Sequence, residues 1–507
     1  MRYAISLMAC LIVAALFCLL MSGMCFAQGD KIGTYKMTTP IPPGIAIPDK
    51  VETRFGTLNF FDGFPDNASV QKLFDNLDFQ RAEQAYLLAL PALSTAGLRK
   101  GLLGLGPANY TVAITETLMD SRSLFLTAST KPYTIIQLDL HDGPLVLEAP
   151  PNVVGAIDNM WSNWVTDIGV TGPDKGKGGK YLILPPGYND TVPDGYFVVQ
   201  SQTFNNAIFW QSFLVNGDPK PGVDEVKKFT RIYPLSKAAN PPAMKFINIS
   251  SMAINTIATA DYSSWETLNQ IVQDEPSESL DPVTLGFYAS IGIEKGKQFA
   301  PDARMKQILT EAAAVGDATA RAVTYRMRQK DAYYCPNSAW RSGFLGGYKF
   351  EENGSRVLDG MIFFFFYATG VMPAMDEKMI GQGSQYMGAF VDANGNPLNG
   401  SKNYTLHLPP NIPVKNSWSI IVYDDQTRSM LQTDQRFPTV SGQTKGLITN
   451  ADGSLDVYFG PKAPKGKEKN WVQTIPGKGW NTLLRLFGPL EPWFNKTWRP
   501  GEIVPQQ

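Results

Sequence analysis

Apolar residues near the start of the chain follow the spacing of one helix face. Asp66 and Asn67 are suited to cap a helix, and Pro91 is expected to bend or end it. The apolar positions between them recur every three or four residues: Val70, Leu73, Phe74, Leu77, Ala85 and Leu88. The pattern therefore predicts a helix from about residue 67 to Pro91.

From about residue 109 the period changes to two. Ile136, Leu138 and Leu140 fall on one face of the segment 134–140 and Gln137 falls on the other, which predicts a half-buried strand. The turn pair Asp142-Gly143 follows and extended sequence resumes, so a hairpin is expected. Further strands are predicted at 180–184, 195–200, 207–215, 405–408, 417–423 and 454–459.

The middle of the chain is helical in pattern. Met305, Ile308, Leu309 and Ala312 share one helix face behind Pro301-Asp302, within a helical segment of about 237–330. The apolar run 361–367 is too short to span a bilayer and is expected in the core. The predicted fold is therefore mainly β, with two β-sandwich, jelly-roll-like domains joined by a helical connector.

Residues 1–27 have the pattern of a secretory signal peptide. Arg2 is followed by an apolar run at 11–20 and by Cys25-Phe26-Ala27, where cleavage is expected after Ala27. A retained anchor is the alternative. Cleavage would make the protein secreted or periplasmic, without membrane attachment. Of the 4 cysteines only Cys335 lies beyond the signal, so a packed thiol and no intramolecular disulfide are expected.

Charge and histidine content restrict the chemistry. Lys+Arg 45 against Asp+Glu 46 leaves no basic excess for a phosphate backbone, so nucleic acid is not an expected partner. Only 2 histidines are present, which excludes a multi-histidine zinc site. His141 and His407 are expected to be structural or to face solvent. No metal and no cofactor is predicted.

A glycine-rich loop at 172–181 is the first candidate site. Its spacing does not fit a P-loop. Asp174, held near Lys175 and Lys180, could be an anchored carboxylate in a polar pocket. We assign Asp174, Lys180 and Tyr181 as candidate catalytic residues. The alternative is a tight structural loop that leads into the strand starting at Tyr181.

Aromatic residues in the same region suggest how a ligand would bind. Trp161 and Trp210, with Lys175, are candidate ligand-binding residues, because aromatic faces beside charged groups suit sugars and amphipathic molecules. Core packing is the alternative reading of these tryptophans. The expected partner is thus a small-molecule ligand, and the sequence leaves the oligomeric state unknown.

Several motifs resemble two families of unknown function. FFDGFP at 60–65, TDIG at 166–169, the glycine-rich loop and LPPGY at 184–188 resemble the DUF1254 family. Tyr386, Trp418 and the pairs at 423–424, 452–453 and 470–471 resemble the DUF1214 domain. The resemblance implies exported, two-domain, β-sandwich proteins without an established activity. DUF1254 proteins often carry an acid in the stretch that corresponds to residues 129–133, whereas this chain has no acid there and has Lys131 nearby.

The domain organisation follows from these assignments. Residues 1–27 are the signal peptide, 28–50 an extended arm, 51–236 a DUF1254-like β-rich domain with an N-terminal helix, 237–345 the helical connector and 346–507 a DUF1214-like β-sandwich. The protein is expected to bind a small amphipathic or carbohydrate-like ligand. If it also processes that ligand, it is expected to be a metal-independent hydrolase or lyase. The alternative is a non-catalytic secreted binding or surface-interaction module.

Overall fold

The computed structural model describes residues 39–506, and the predicted signal peptide lies outside them. The chain forms two compact units, Met1–Phe74 and Asp75–Gln507. The described part of the first unit contains a three-stranded antiparallel sheet of β1 (Lys50–Thr53), β2 (Gly56–Phe61) and β3 (Phe64–Pro65). Asp66 accepts the backbone N–H of Ser69 at 2.7 Å, which caps the helix that follows.

Helix α1 (Asn67–Leu103) continues through Pro91. The sequence predicts that Pro91 bends or ends the helix, and the prediction that the helix ends there is wrong. Pro91 removes one helical N–H, but its carbonyl accepts a hydrogen bond from the Ser162 hydroxyl at 3.0 Å. Ala85, Ala89 and neighbouring side chains are fully buried in a core cluster, so tertiary packing holds the helix across the proline.

The first sandwich consists of a six-stranded and a four-stranded sheet, with strand orders β13-β4-β5-β11-β7-β8 and β10-β9-β6-β12. One short helix, α2 (Lys220–Phe229), precedes β12. The strands are β4 (Thr111–Ile114), β5 (Tyr133–Asp139), β6 (Leu145–Ala149), β7 (Val153–Asn159), β8 (Trp164–Gly169), β9 (Gly179–Leu184), β10 (Phe197–Gln200), β11 (Asn205–Ser212), β12 (Arg231–Pro234) and β13 (Lys245–Asn248). Ile136 and Ile208 of the larger sheet pack with Leu147 and Ile183 of the smaller in one core cluster.

Two details of the strand prediction are wrong. The strands β5 and β6 do not form a hairpin, because β5 belongs to the six-stranded sheet and β6 to the four-stranded one. Residues 140–144 therefore cross from one sheet of the sandwich to the other. Gln137 is buried, since β5 lies between β4 and β11 and both of its faces are covered.

Three helices follow in the segment predicted to be a connector: α3 (Ser263–Asp274), α4 (Pro282–Ser290) and α5 (Ala303–Tyr325). Asp302 caps α5 by accepting the N–H of Met305 at 2.7 Å, and Leu309 and Ala312 are buried, as the pattern predicts. The predicted domain boundaries stay predictions, although β13 from this segment joins the first sandwich.

The second sandwich pairs a five-stranded sheet, β14-β17-β23-β19-β20, with a four-stranded sheet, β22-β21-β18-β24. A two-stranded sheet of β15 and β16 accompanies them. The elements are β14 (Trp340–Arg341), β15 (Glu351–Glu352), β16 (Ser355–Arg356), α6 (Leu358–Tyr367), β17 (Ser384–Ala389), β18 (Tyr404–Leu408), β19 (Val414–Asp424), β20 (Thr439–Ser441), β21 (Leu455–Gly460), β22 (Trp471–Gln473), β23 (Trp480–Pro489), α7 (Glu491–Phe494) and β24 (Ile503–Pro505).

The two β-sandwiches of the predicted fold are thus present. The jelly-roll connectivity is not confirmed, since β4 and β13, β9 and β10, and β21 and β22 pair in parallel. Helix α6 is the predicted core segment, and its side chains from Met361 to Tyr367 are buried. Phe363 and Tyr367 of α6 share one cluster with Ile135 of the first sandwich and Leu483 of the second. Within residues 39–506, every helix is too short or too polar to cross a lipid bilayer.

Candidate functional site between the two sandwiches

The glycine-rich loop places Asp174 at the centre of a hydrogen-bond set. Its buried carboxylate accepts the backbone N–H of Gly169 at 2.7 Å, the N–H of Gly178 at 3.0 Å and the hydroxyl of Tyr181 at 2.8 Å. Burial, with the adjacent Asp174, raises the pKa of Tyr181 above its usual value. These contacts brace the turn that leads into β9.

The two lysines of the loop point elsewhere. Lys180 is exposed and pairs with Glu148 on the neighbouring strand β6, with 3.3 Å between Nζ and Oε1. Lys175 is exposed at a turn position with a φ of 51°. The structure therefore brings Asp174 and Tyr181 together and leaves Lys180 and Lys175 outside that contact. Their catalytic and binding roles stay predictions.

The two predicted tryptophans lie in different surroundings. Trp161 is buried and donates its indole N–H to the Ser279 hydroxyl at 2.7 Å, beside a separate cavity of about 640 Å³. Trp210 of β11 packs in the core of the first sandwich and also borders a smaller cavity of about 150 Å³. We call this smaller cavity the central cavity. Several buried charged side chains line it.

The central cavity lies between the outer faces of the two larger sheets. Strands β5, β7 and β11 bound it on one side and β14, β17 and β23 on the other, with α1, α6 and residues 125–127 completing the wall. Most of its surface is apolar, from Ile135, Phe209, Phe363, Phe364 and Leu483 among others. It thus combines an apolar body with a few buried polar groups, which is the usual form of a small-molecule site.

Arg341 is the first of these polar groups and is only 1% exposed. Its Nη2 donates to the carbonyl of Tyr325 at 3.3 Å, whereas Nε and Nη1 have no hydrogen-bond partner among the described residues. The guanidinium lies over the ring of Phe390, 4.6 Å from its centroid. Burial lowers the pKa of Arg341 to about 10, so the side chain remains charged at neutral pH.

Arg485 approaches the central cavity from β23 and is 5% exposed. Its Nη2 donates to the hydroxyl of Tyr423 at 2.7 Å and to the carbonyl of Thr127 at 3.3 Å. Its Nε has no partner within the described part of the chain. The guanidinium lies 5.5 Å from the ring centroid of Tyr386, another residue of the cavity wall.

Asp158 supplies the acidic group of the wall, from the end of β7. It is 3% exposed, and its Oδ2 accepts the N–H of Val371 at 2.6 Å. Its Oδ1 has no partner in residues 39–506. Burial raises the pKa of Asp158 well above its usual value, and the nearby Asp167 acts in the same direction. Asp158 therefore keeps its proton to a higher pH than an exposed carboxyl group does, and in the protonated form it can donate a hydrogen bond.

Strand alternation explains why these groups meet. Arg341 stands opposite Gly388 of β17, and Arg485 stands opposite Tyr386 two positions along the same strand. All four positions point to the same face, away from the sandwich core. A side chain at Gly388 would come within 2.7 Å of the Phe390 ring, so the glycine leaves room for the ring that stacks on Arg341.

Lys131 lies near this region, in the segment where the family resemblance predicts an acid. It is buried, and its Nζ lies 5.5 Å from the ring centroids of both Phe213 and Phe487. Burial lowers the pKa of the Lys131 amine. The neighbouring Thr127 and Tyr133 belong to the cavity wall.

The histidines and the cysteine take structural positions outside this wall. His141 contacts Asp139 at 2.7 Å and stacks on Phe204, with 4.3 Å between ring centroids. His407 contacts Asp456 at 2.8 Å. Cys335 is buried and free. Among residues 39–506, no group of three or more His, Cys, Asp or Glu side chains is placed to hold a metal ion.

Of the residues that line the central cavity, only Trp210 was predicted from the sequence as a site residue. The sequence does contain a pattern that could have identified two others: Arg485 is the one charged residue within the apolar strand β23, and Asp158 follows the apolar run 153–157. A single charge in a buried strand is costly unless it has a partner or a function. Arg341 gives no comparable signal, because β14 has only two residues.

Two family models match parts of the sequence. The model described as a protein of unknown function, DUF1254, matches residues 110–234, and the one described as DUF1214, also of unknown function, matches residues 383–491. No curated protein matches the sequence.

Solved structures add a match over most of the chain. The VPA0106 protein from Vibrio parahaemolyticus is similar with a TM-score of 0.53 and 17% identity, over 85% of this chain and 100% of that one. An uncharacterised protein from Burkholderia cenocepacia matches with a TM-score of 0.38 and 12% identity, over 85% of this chain and 96% of that one. At such identities the first match shows a shared fold alone.

Proposed function

We propose that this protein, whose residues 110–234 and 383–491 match the DUF1254 and DUF1214 family models, binds a small amphipathic molecule in the central cavity. We place this protein outside the cytoplasm, secreted or periplasmic, following the signal-peptide pattern of residues 1–27. The loop around Asp174 has a bracing role in this proposal.

One observation carries the proposal: an apolar cavity whose wall holds buried polar atoms without partners. Native proteins pair nearly all such atoms, and each one left unpaired costs about 1–3 kcal/mol. Arg341, Arg485 and Asp158 each present at least one. A ligand whose polar group interacts with these charged side chains would offset part of this cost, which gives it affinity and a fixed orientation.

The size of the cavity limits the ligand. A volume of about 150 Å³ is close to that of cavities that accept benzene. A monosaccharide would need more polar partners than this mostly apolar wall provides. A small molecule with one apolar ring or short chain and one polar end therefore fits better than a carbohydrate.

Turnover is the second candidate function, and Asp158 favours it. A buried neutral carboxyl group with a free oxygen is a proton donor of the kind that metal-independent hydrolases and lyases use. Binding alone would need no proton donor. Incubation with methyl benzoate, followed by NMR detection of benzoate, separates the two, with Asp158→Asn as the inactive control.

Thermal shift with benzyl alcohol, toluene and benzoate tests the binding proposal. A ligand at 100 times its Kd adds about 2.7 kcal/mol of stability. Ala207→Leu fills the cavity from β11, whereas Ala156→Leu adds the same volume on β7, outside the cavity wall. We expect stabilisation in the wild type and in Ala156→Leu, and none in Ala207→Leu. The absence of any shift, or an undiminished shift in Ala207→Leu, would overturn the proposal.

A further inference from the structure

Among the described residues, the two arginines of the central cavity form no ion pair with an acidic side chain, unlike Arg304 and Arg321. Arg304 binds Asp78 at 2.8 Å, and Arg321 binds Asp317 at 2.8 Å. Arg341 and Arg485 are more deeply buried, and among the described residues the contacts of their guanidinium groups are to carbonyl groups, a phenol and aromatic rings.

These contacts compensate the buried charge only in part. Removing an ion from water is costly even after relaxation of the protein. A cation–π contact such as that between Arg341 and Phe390 offsets only part of that cost. The cavity therefore retains positive charge that the described part of the chain does not neutralise.

Asp158 does not fill this role. It lies on β7 of the first sandwich, whereas the arginines lie on β14 and β23 of the second. Its Oδ2 is already held by the N–H of Val371, and among the described residues no hydrogen bond or ion pair joins Asp158 to either arginine. An anion for the two arginines must therefore come from elsewhere.

We propose that the ligand of the central cavity is a small carboxylate with an apolar body of about the size of a benzene ring, and that Arg341 and Arg485 bind its charge. This inference rests on the proposed function. Both arginines line the cavity and have no acidic partner among the described residues, so they supply the positive charge that a carboxylate needs. The apolar wall of Ile135, Phe209 and Leu483 receives the body.

A carboxylate fits this arrangement better than a larger anion does. Phosphate brings three strong acceptor oxygens and up to two charges, and most of its surface would face an apolar wall. A monocarboxylate exposes one small polar end and leaves the rest of the molecule for the wall. The test below includes phosphate alone so that the two anions are compared directly.

Benzoate and benzamide separate charge from shape in one experiment. The two molecules have nearly the same size, but only benzoate carries a charge. With the full protein in isothermal titration calorimetry at neutral pH, we expect benzoate to bind at least tenfold tighter than benzamide. Inorganic phosphate should neither bind nor displace benzoate. This comparison needs only the wild-type protein, so it does not depend on a variant that folds.

Variants then assign the charge recognition to residues. Arg341→Gln and Arg485→Gln should each weaken benzoate binding at least tenfold and change benzamide binding less than about threefold. Arg428→Gln is the matched control, since Arg428 is also buried, lies 4.2 Å from the Phe366 ring centroid and has an unpartnered Nε, but belongs to a neighbouring cavity. It should preserve the preference for benzoate.

Each outcome decides between the two proposals. If benzamide binds as tightly as benzoate, cavity binding stands and carboxylate recognition is overturned. If phosphate displaces benzoate, the site is a general anion site and the inference is equally overturned. If neither aromatic compound binds, the proposed function fails together with the inference. If both glutamine variants fold and keep the benzoate preference, the two arginines do not bind the charge.

Discussion

Asp158→Asn should remove a pH dependence of stability that the wild-type protein has. Burial raises the pKa of Asp158 in the folded state well above the usual 3.8. Between these two values the folded state holds a proton that the unfolded chain has released. Unfolding then releases a proton, so the wild type loses stability as pH rises, and the loss ends only when the pH exceeds the folded-state pKa.

The magnitude follows from this proton. While the folded carboxyl is protonated and the unfolded one is ionised, the free energy of unfolding falls by about 1.4 kcal/mol per pH unit. The wild type should therefore lose up to that amount relative to Asp158→Asn for each unit by which the pH rises toward the folded-state pKa. Asparagine keeps the shape of the neutral acid and can still accept the N–H of Val371. Near pH 4 the two proteins should have similar stability.

Urea unfolding from pH 4 to pH 8, followed by tryptophan fluorescence, measures this difference, and other titrating groups cancel between the two proteins. Asp376→Asn is a graded comparison, because burial and the nearby Glu377 raise the pKa of Asp376 only to about 6. Its difference from the wild type should level off above that pH. Parallel curves for wild type and Asp158→Asn across the whole range would refute the assignment of a buried neutral acid.

Four further tests address other parts of the structure. Asp174→Asn should lower the free energy of unfolding in urea by about 1–3 kcal/mol, because Gly169, Gly178 and Tyr181 donate to this carboxylate. Lys180→Met removes only an exposed ion pair, so it should change that energy by less than about 1 kcal/mol, and a larger loss would contradict the bracing role of the loop. Gly370→Ala should destabilise by about 1–2 kcal/mol in the same assay and weaken benzyl alcohol binding, since Gly370 has a φ of 86° and a Cβ there would lie 3.0 Å from the Phe209 ring. A reducing agent should leave the melting temperature of the monomer unchanged, because Cys335 is buried and free; a shift would indicate an intermolecular bridge.

Local pattern predicted most of the elements of this fold. The alternation at 405–408 and 454–459 and the Asp302 cap before α5 all correspond to elements of the structure. The pairing of β5 with β6 failed because a turn signal such as Asp142-Gly143 fixes a reversal of the chain and not the sheet to which the next strand belongs. Gln137 was misplaced for a related reason, since cover on the second face of β5 comes from parts distant in sequence.

The central cavity could not be predicted in the same way. Arg341 and Arg485 are 144 positions apart in the numbering, and only the pairing of β14, β17 and β23 brings them to one face. The glycine-rich loop was predicted as a site because its glycines and charged residues are adjacent in sequence. In the structure these residues form a turn, in which Asp174 accepts the backbone N–H groups of Gly169 and Gly178.

The position of helix α6 between the sandwiches has a consequence for the lifetime of the protein. Its Phe363 and Tyr367 contribute to a wall that neither sandwich could form alone. A molecule in this cavity can bind only while the two sandwiches are packed together. Its binding free energy therefore adds to the free energy needed to separate them. Proteases cut chains that open, and they do so less often when the open state is less populated. The survival of this protein in its compartment would then depend on the local supply of its ligand.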